Sequence, residues 1–254
     1  MRALPLHKRL VAELLGTALL VTVVVGSGIA AEQLSPDNVG LQLLENSTAT
    51  VFGLTVLILL FGPVSGAHFN PVVSGVDWVL GRRAGTGLTG REVGAYTLAQ
   101  TVGGVAGAVL ANVMFDIDIT QLSTKDRTGS NLLVAEVVAT AGLIALIFAL
   151  ARTGRGAIAA PAVGAYIGAA YWFTSSTSFA NPAVTVGRVF SDTFAGIEPA
   201  SVPGFIAAQL VGGLVGLALV RYLFPDVASA SDDVVVPHIT THESTETTAP
   251  RRTP

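Results

Sequence analysis

Residues 178–188 read Ser178-Phe-Ala-Asn-Pro-Ala-Val-Thr-Val-Gly-Arg188, and residues 66–76 read Gly66-Ala-His-Phe-Asn-Pro-Val-Val-Ser-Gly-Val76. Both stretches set an Asn-Pro pair inside apolar surroundings. Non-helical backbone at membrane depth is tolerated only where it is buried in protein or lines a water-filled cavity. Two such interruptions that face each other satisfy that condition. Proline suits the first turn of a helix, where its missing N–H costs nothing, and asparagine is a good N-cap. Each stretch therefore predicts a loop that dips into the apolar layer and a helix that starts there, at Asn70-Pro71 and at Asn181-Pro182.

The composition supplies that layer. Of 254 residues, 51% are apolar and 12% charged, about half the charge of an ordinary soluble domain. Stretches near 10–31, 48–61, 93–115, 132–151, 157–174 and 204–224 are long enough, or nearly so, to span a bilayer. The second is short, and its start is expected to reach back to about Gln42. After Asn70 and Asn181 the apolar segments run for only about ten residues, enough for half of a hydrocarbon core roughly 30 Å thick. The basic N-terminus and the run behind it read as a first span rather than a cleaved leader, because the run carries Glu13 and further spans follow.

Charge and residue types exclude other classes. A net charge of −3 leaves no nucleic-acid footprint, and the absence of cysteine excludes disulfides and thiolate metal sites. No nucleophile–base pair or metal cluster stands out, so neither a cofactor nor enzymatic chemistry is expected. Eleven Lys and Arg residues fall on the side of the N-terminus and three, Lys125, Arg127 and Arg188, on the other. That bias places both termini of a multi-pass protein of the cell's inner membrane in the cytoplasm. Residues 225–254 are rich in Ser and Thr and read as a disordered cytoplasmic tail.

The chain also repeats itself. The segment around Glu13 matches that around Glu136, the Asn70 loop matches the Asn181 loop, and Ala99-Gln100 with its Val-Gly-Gly matches Ala208-Gln209 with its own. Three markers in the same order define a first half of about 1–115 and a second of about 131–224. With three spans each, the halves enter the membrane in opposite senses, an inverted repeat that puts a substrate path at their interface. The two short helices then meet at the midplane with their positive ends inward. Such a focus disfavours cations and hydrated protons but not neutral hydroxylated solutes. Glu13 and Glu136 need partners at that depth, either as structural braces or as a proton relay in an ion-coupled transporter. The glycines at 16, 103, 104, 107, 212, 213 and 216 have the small-residue spacing of close helix packing.

On these motifs the chain resembles the aquaporins, the major intrinsic protein family, over about Leu10 to Phe224. The resemblance implies an all-α fold of six transmembrane helices and two re-entrant half-helices. It also implies a passive channel and a homotetramer in the bilayer with one pore per subunit. By it, Asn70, Pro71 and Val72 and Asn181, Pro182 and Ala183 form the two pore motifs. Glu13 and Glu136 brace the loops. The carbonyls of Gly66, Ala67, His68 and Phe69 and of Thr177, Ser178, Phe179 and Ala180 line the path. In water-selective members an Arg follows the second motif, opposite an aromatic and a His. Here that position is Val184. Family spacing puts the other filter positions at Ala169, at Ser178 and at either Thr50 or Phe52. Such a ring resembles that of the valine-filter channels of bacterial arsenic-resistance systems, which implies arsenite, antimonite and methylated arsenicals as permeants, with water and glycerol beside them. A glycerol facilitator or general water channel is the alternative within the family. Arg188 lies one turn beyond Val184 on the same helical face. It either reaches back to the outer pore mouth or snorkels at the interface near Asp192.

Overall fold

The computed structural model describes residues 4–83 and 85–225. Within them run eight α-helices: α1 (Leu6–Leu34), α2 (Val39–Ser65), α3 (Pro71–Gly81), α4 (Gly90–Met114), α5 (Ser130–Arg152), α6 (Ala159–Phe173), α7 (Pro182–Gly187) and α8 (Val202–Leu223). Single 3-10 turns precede α6 and α8 and follow α7. Six of these helices are long and apolar enough to cross a membrane, α3 and α7 being the exceptions. Among the described residues there is no strand. The tail expected from residue 225 onward lies, from 226 on, outside the described residues.

Helix ends follow their residues. α2 starts at Val39, earlier than expected, because the Asn38 side chain accepts the Leu41 N–H at 2.9 Å. Thr89 and Glu92 form a capping box at α4, and Gly66, at φ 85°, closes α2. The six spans alternate in direction, so α1 starts and α8 ends on one side, called the near side below. The segments 35–38, 115–129 and 188–201 lie on the far side. The second half-helix is shorter than the ten residues expected. α7 has six, followed by a 3-10 turn at Arg188–Phe190, where the chain bends back so that Ala195 O can accept from Arg188 Nε.

Glycines set the packing. A Cβ on Gly103 or Gly107 would run into the α1 backbone at Leu14 or Ala18. In the second half, one on Gly212 would lie 2.6 Å from Val137 O and one on Gly216 2.8 Å from Ala141 O, both on α5. The adjacent glycines face the half-helices instead. Gly104 meets the carbonyl of Ala183 in α7, and Gly213 receives the side chain of Val72 in α3. Val72, where the second motif has Ala183, thus points into α8, and its added bulk leaves the pore alone. Large apolar side chains such as Leu59, Leu98 and Leu214 cover the outer faces of the bundle, as a protein solvated by lipid requires.

This packing gives a reciprocal test. A methyl group at 213 would stand 2.5 Å from Val72 Cγ1, and valine in a helix has one favoured rotamer. Gly213→Ala is expected to cost about 1–3 kcal/mol by overpacking, read as a lower melting temperature in detergent. The same substitution in a Val72→Ala background should cost little. Equal losses in both backgrounds would show that the two positions do not meet.

Candidate functional site

Two buried carboxylates organise the centre of the molecule. Glu13 and Glu136 are both fully buried. Glu13 Oε1 accepts from Ser65 Oγ at 2.6 Å and His68 N at 3.0 Å, and Oε2 from Phe69 N and Gln100 Nε2, each at 2.7 Å. Glu136 repeats the pattern. Its Oε1 accepts from Ser176 Oγ at 2.7 Å and Phe179 N at 2.8 Å, and its Oε2 from Ala180 N at 2.8 Å and Gln209 Nε2 at 2.7 Å. With four donors each, both carboxylates are fully engaged as acceptors. That arrangement suits a brace and leaves no oxygen to relay a proton.

The braced loops carry unusual backbone. Ala67, Phe69, Ser178 and Ala180 have φ between 48° and 51°, the left-handed region that non-glycine residues occupy at a cost of about 1–2 kcal/mol each. Bonds from the neighbouring N–H groups to the carboxylates hold them there. The two loops are then tied to each other. Asn70 Nδ2 donates to Ala180 O and Asn181 Nδ2 to Phe69 O, both at 2.7 Å. Each asparagine also caps its half-helix through Oδ1, Asn70 to Val72 N and Asn181 to Ala183 N and Val184 N. The carbonyls of Phe69 and Ala180, expected to line the path, each accept one asparagine amide and keep a second lone pair. Four hydroxyl groups that the sequence reading passed over complete the frame. Ser65 and Ser176, each five residues before its asparagine, donate to the glutamates. Ser74 and Thr185, each four residues after, donate to the Asn70 and Asn181 carbonyls and accept from Gln100 and Gln209. Their matched offsets were the available signal.

A single cavity runs past both asparagines. Its walls come from helices at four-residue intervals, one turn each. Thr50, Leu54 and Ile58 line it from α2, and Val163, Ile167 and Tyr171 from α6. Val184 and Arg188 line it from α7 and its continuation, and Ala67, His68, Ser178 and Phe179 from the loops.

Two expected filter residues are therefore corrected. Phe52 is 67% exposed and faces outward, since at 100° per residue it lies across the helix from Thr50 and Leu54. Thr50, not Phe52, lines the cavity. Ala169 is exposed as well, on the side of α6 opposite Ile167 and Tyr171. The connection from α6 to Asn181 is short, so ten residues back from Asn181, not twelve, reaches the wall. Tyr171 stands there, with its hydroxyl 3.2 Å from Thr50 Oγ1. Ala183 and Val72 are buried away from the cavity, against α4 and α8.

Arg188 is 2% exposed, so the interfacial reading does not hold. Asp192 bonds Thr124 instead. The Arg188 guanidinium carbon lies 3.4 Å from the centroid of the Phe179 ring. Arg127, from the far-side segment, lies over the same ring at 4.8 Å and donates to Ser176 O and Gly196 O. Burial pulls Arg127 down to about 10, which leaves it a cation at neutral pH. The sequence reading counted Arg127 only as one of three far-side charges. Its backbone partners come from distant segments and carry no local pattern. Asp77, which the repeat matches to Arg188, is buried and accepts from Leu88 N at 2.7 Å. Each residue thus hooks the chain that leaves its half-helix.

Comparison with known proteins gives one consistent picture. The family model described as "Major intrinsic protein" matches residues 1–179. Aquaglyceroporin AqpS of Rhizobium meliloti (strain 1021) is 50% identical over 223 residues, 88% of this chain and 93% of that protein. Aquaporin Z of Photorhabdus laumondii is 30% identical, over 86% of this chain and 98% of its own length. Among solved structures, the aquaglyceroporin from Plasmodium falciparum superposes with a TM-score of 0.61 at 18% identity, covering 89% of this chain and 100% of that one.

The brace can be tested directly. In Glu136→Gln an amide NH2 replaces one acceptor oxygen and faces two donors. Unsatisfied buried groups cost about 1–3 kcal/mol apiece, so the variant should melt well below the wild type or fail to accumulate. A variant of unchanged stability that lost gradient-driven uptake would instead mark Glu136 as a coupling residue.

Proposed function

The chain belongs to the major intrinsic protein family, and on that premise we propose a pore that favours compact neutral solutes bulkier than water. Metalloid hydroxides such as arsenite and antimonite come first, with methylated arsenicals, glycerol and water also passing. That the protein is a membrane channel for small solutes, and not an enzyme, follows from its family. The finer reading rests on one observation: the first turn of α7 presents Val184 to the cavity, which the aliphatic side chains of Leu54, Ile58, Val163 and Ile167 also line. A short branched side chain at that level leaves width and offers no charge. Arsenous acid is a compact trihydroxide, comparable in size to part of a glycerol molecule. The 50% identity to a protein named an aquaglyceroporin supports the same direction.

The remaining assignments follow. Asn70 and Asn181 each keep one amide N–H beyond the cross-link, and these donors meet the solute in single file. The two half-helices point their positive ends at the same place, which disfavours cations. The excess of Lys and Arg on the near side supports an inner-membrane protein with cytoplasmic termini. The resemblance supports a homotetramer, with residues 1–224 as the channel unit in each subunit.

Reconstituted liposomes in a stopped-flow apparatus test the reading under osmotic, glycerol and arsenous acid gradients. The wild type should pass all three faster than empty liposomes. Val184→Arg should fill the wall and cut arsenous acid and glycerol permeability about tenfold relative to water. Arsenous acid flux untouched by that substitution would remove Val184 from the constriction.

A further inference from the structure

Besides His68 and the two asparagines, the polar side chains lining the cavity gather toward the far side. On α2 the lining residue nearest the far side is Thr50, with Leu54 and Ile58 successively deeper. On α6, which runs the other way, the far-side residue is Tyr171, with Ile167 and Val163 deeper. α7 runs outward from the midplane, so Arg188 stands about 6 Å further toward the far side than Val184. Its side chain leans back toward the helix N-terminus. Ser178 lies on the descending loop between the far end of α6 and Asn181. Four polar side chains from four segments thus share the far end of one cavity.

Their hydrogen-bonding capacities are complementary. Thr50 Oγ1 spends its only hydrogen on Asn46 O at 2.9 Å. In the contact with Tyr171 it is therefore the acceptor, and the Tyr171 hydroxyl donates. That leaves the Tyr171 oxygen with lone pairs only, an acceptor turned to the cavity. Ser178 Oγ is 4% exposed at the residue level, and no described residue bonds it. Arg188 is fixed through Nε to Ala195 O and by the Phe179 ring. Among the described residues, none accepts from its two terminal nitrogens. The aperture thus presents an acceptor, a hydroxyl able to play either part, and a fork of donors.

We propose that Thr50, Tyr171, Ser178 and Arg188 form the solute-reading ring of this channel. In it the cation is supplied one helical turn beyond Val184, and a tyrosine oxygen is the opposing acceptor. A neutral solute with hydroxyl groups on several sides satisfies the ring at once, donating to Tyr171 and accepting from Arg188, with Ser178 taking a third group. Replacing a hydroxyl of the solute by methyl removes one of these contacts. The ring therefore favours compact polyhydroxylated solutes over their methylated forms. This deepens the reading of the pore as a metalloid path and rests on it for the identity of the solute.

The test is the permeability of liposomes carrying Arg188→Ala, Arg188→Lys, Tyr171→Phe or Ser178→Ala, with arsenous acid, monomethylated arsenous acid, glycerol and water as probes. Tyr171→Phe and Ser178→Ala each remove one oxygen and should lower the ratio of arsenous acid to water by about fivefold, the worth of one hydrogen bond. They should also reduce the preference for arsenous acid over its methylated form. Arg188→Ala should raise the glycerol-to-water ratio by a similar factor and admit protons, read with an internal pH dye; Arg188→Lys should restore the proton barrier. If Arg188→Ala does not fold, the two single-oxygen variants decide the matter. Ratios within twofold of the wild type in both would overturn the ring. A wild type that passes glycerol and water but no arsenous acid would sink the metalloid reading instead, and the ring would then be judged on the glycerol-to-water ratio.

Discussion

Everything in this structure depends on a carboxylate buried where no carboxylate can stay without partners. Taking an ion out of water costs several kcal/mol even after relaxation. Glu13 and Glu136 recover that cost from four hydrogen bonds apiece, two of them from backbone N–H groups of a re-entrant loop. The loops in turn hold left-handed alanine, phenylalanine and serine, conformations they would not keep alone. The charge and the strain are each unfavourable by themselves and offset one another. The glutamates sit in the spanning helices α1 and α5, and so tie each loop to a long helix of its own half.

The inverted repeat doubles that unit and joins the copies at the asparagines. Each asparagine amide donates to the residue before the other asparagine, so neither loop reaches its final shape without its partner. The halves differ where they need not support each other. Val72 packs into the space left by Gly213, and Ala183 against Gly104. His68 stands where the other half has Phe179, and Asp77 where it has Arg188. Symmetry governs the scaffold, and the departures from it define the chemistry of the path.

The scaffold was legible in the sequence because it rests on residues whose cost in a membrane is high: paired Asn-Pro, glutamate in an apolar run, glycine at helical spacing. The lining was less so. Thr50 and Phe52, or Ala169 and Tyr171, differ by two positions, which on a helix turns a side chain from the pore to the lipid. A count from a distant anchor cannot resolve that when the intervening connection varies in length, as it does between α6 and Asn181. The four-residue rhythm of Thr50, Leu54 and Ile58 was present in the sequence, but the outer face of α2 is equally apolar, so periodicity alone did not choose a side. Arg127 was hidden for another reason: its partners at Ser176 and Gly196 are backbone carbonyls brought together only by the fold.

The far side of the pore shows what such hidden contacts achieve. Two guanidinium groups, Arg127 and Arg188, share the ring of Phe179, and among the described residues neither makes an ion pair. A cation over an aromatic face is stabilised by the ring quadrupole without losing its charge, and carbonyl acceptors at Ser176, Ala195 and Gly196 add to that without neutralising it. A carboxylate partner would have fixed the arginines more tightly and cancelled their field. Phe179, at the position of His68 in the other half, therefore permits a positive potential at the mouth that an ion pair would have removed. The asymmetry between the two loops thus gathers two cations around one ring on the far side while the braces beneath both loops stay alike.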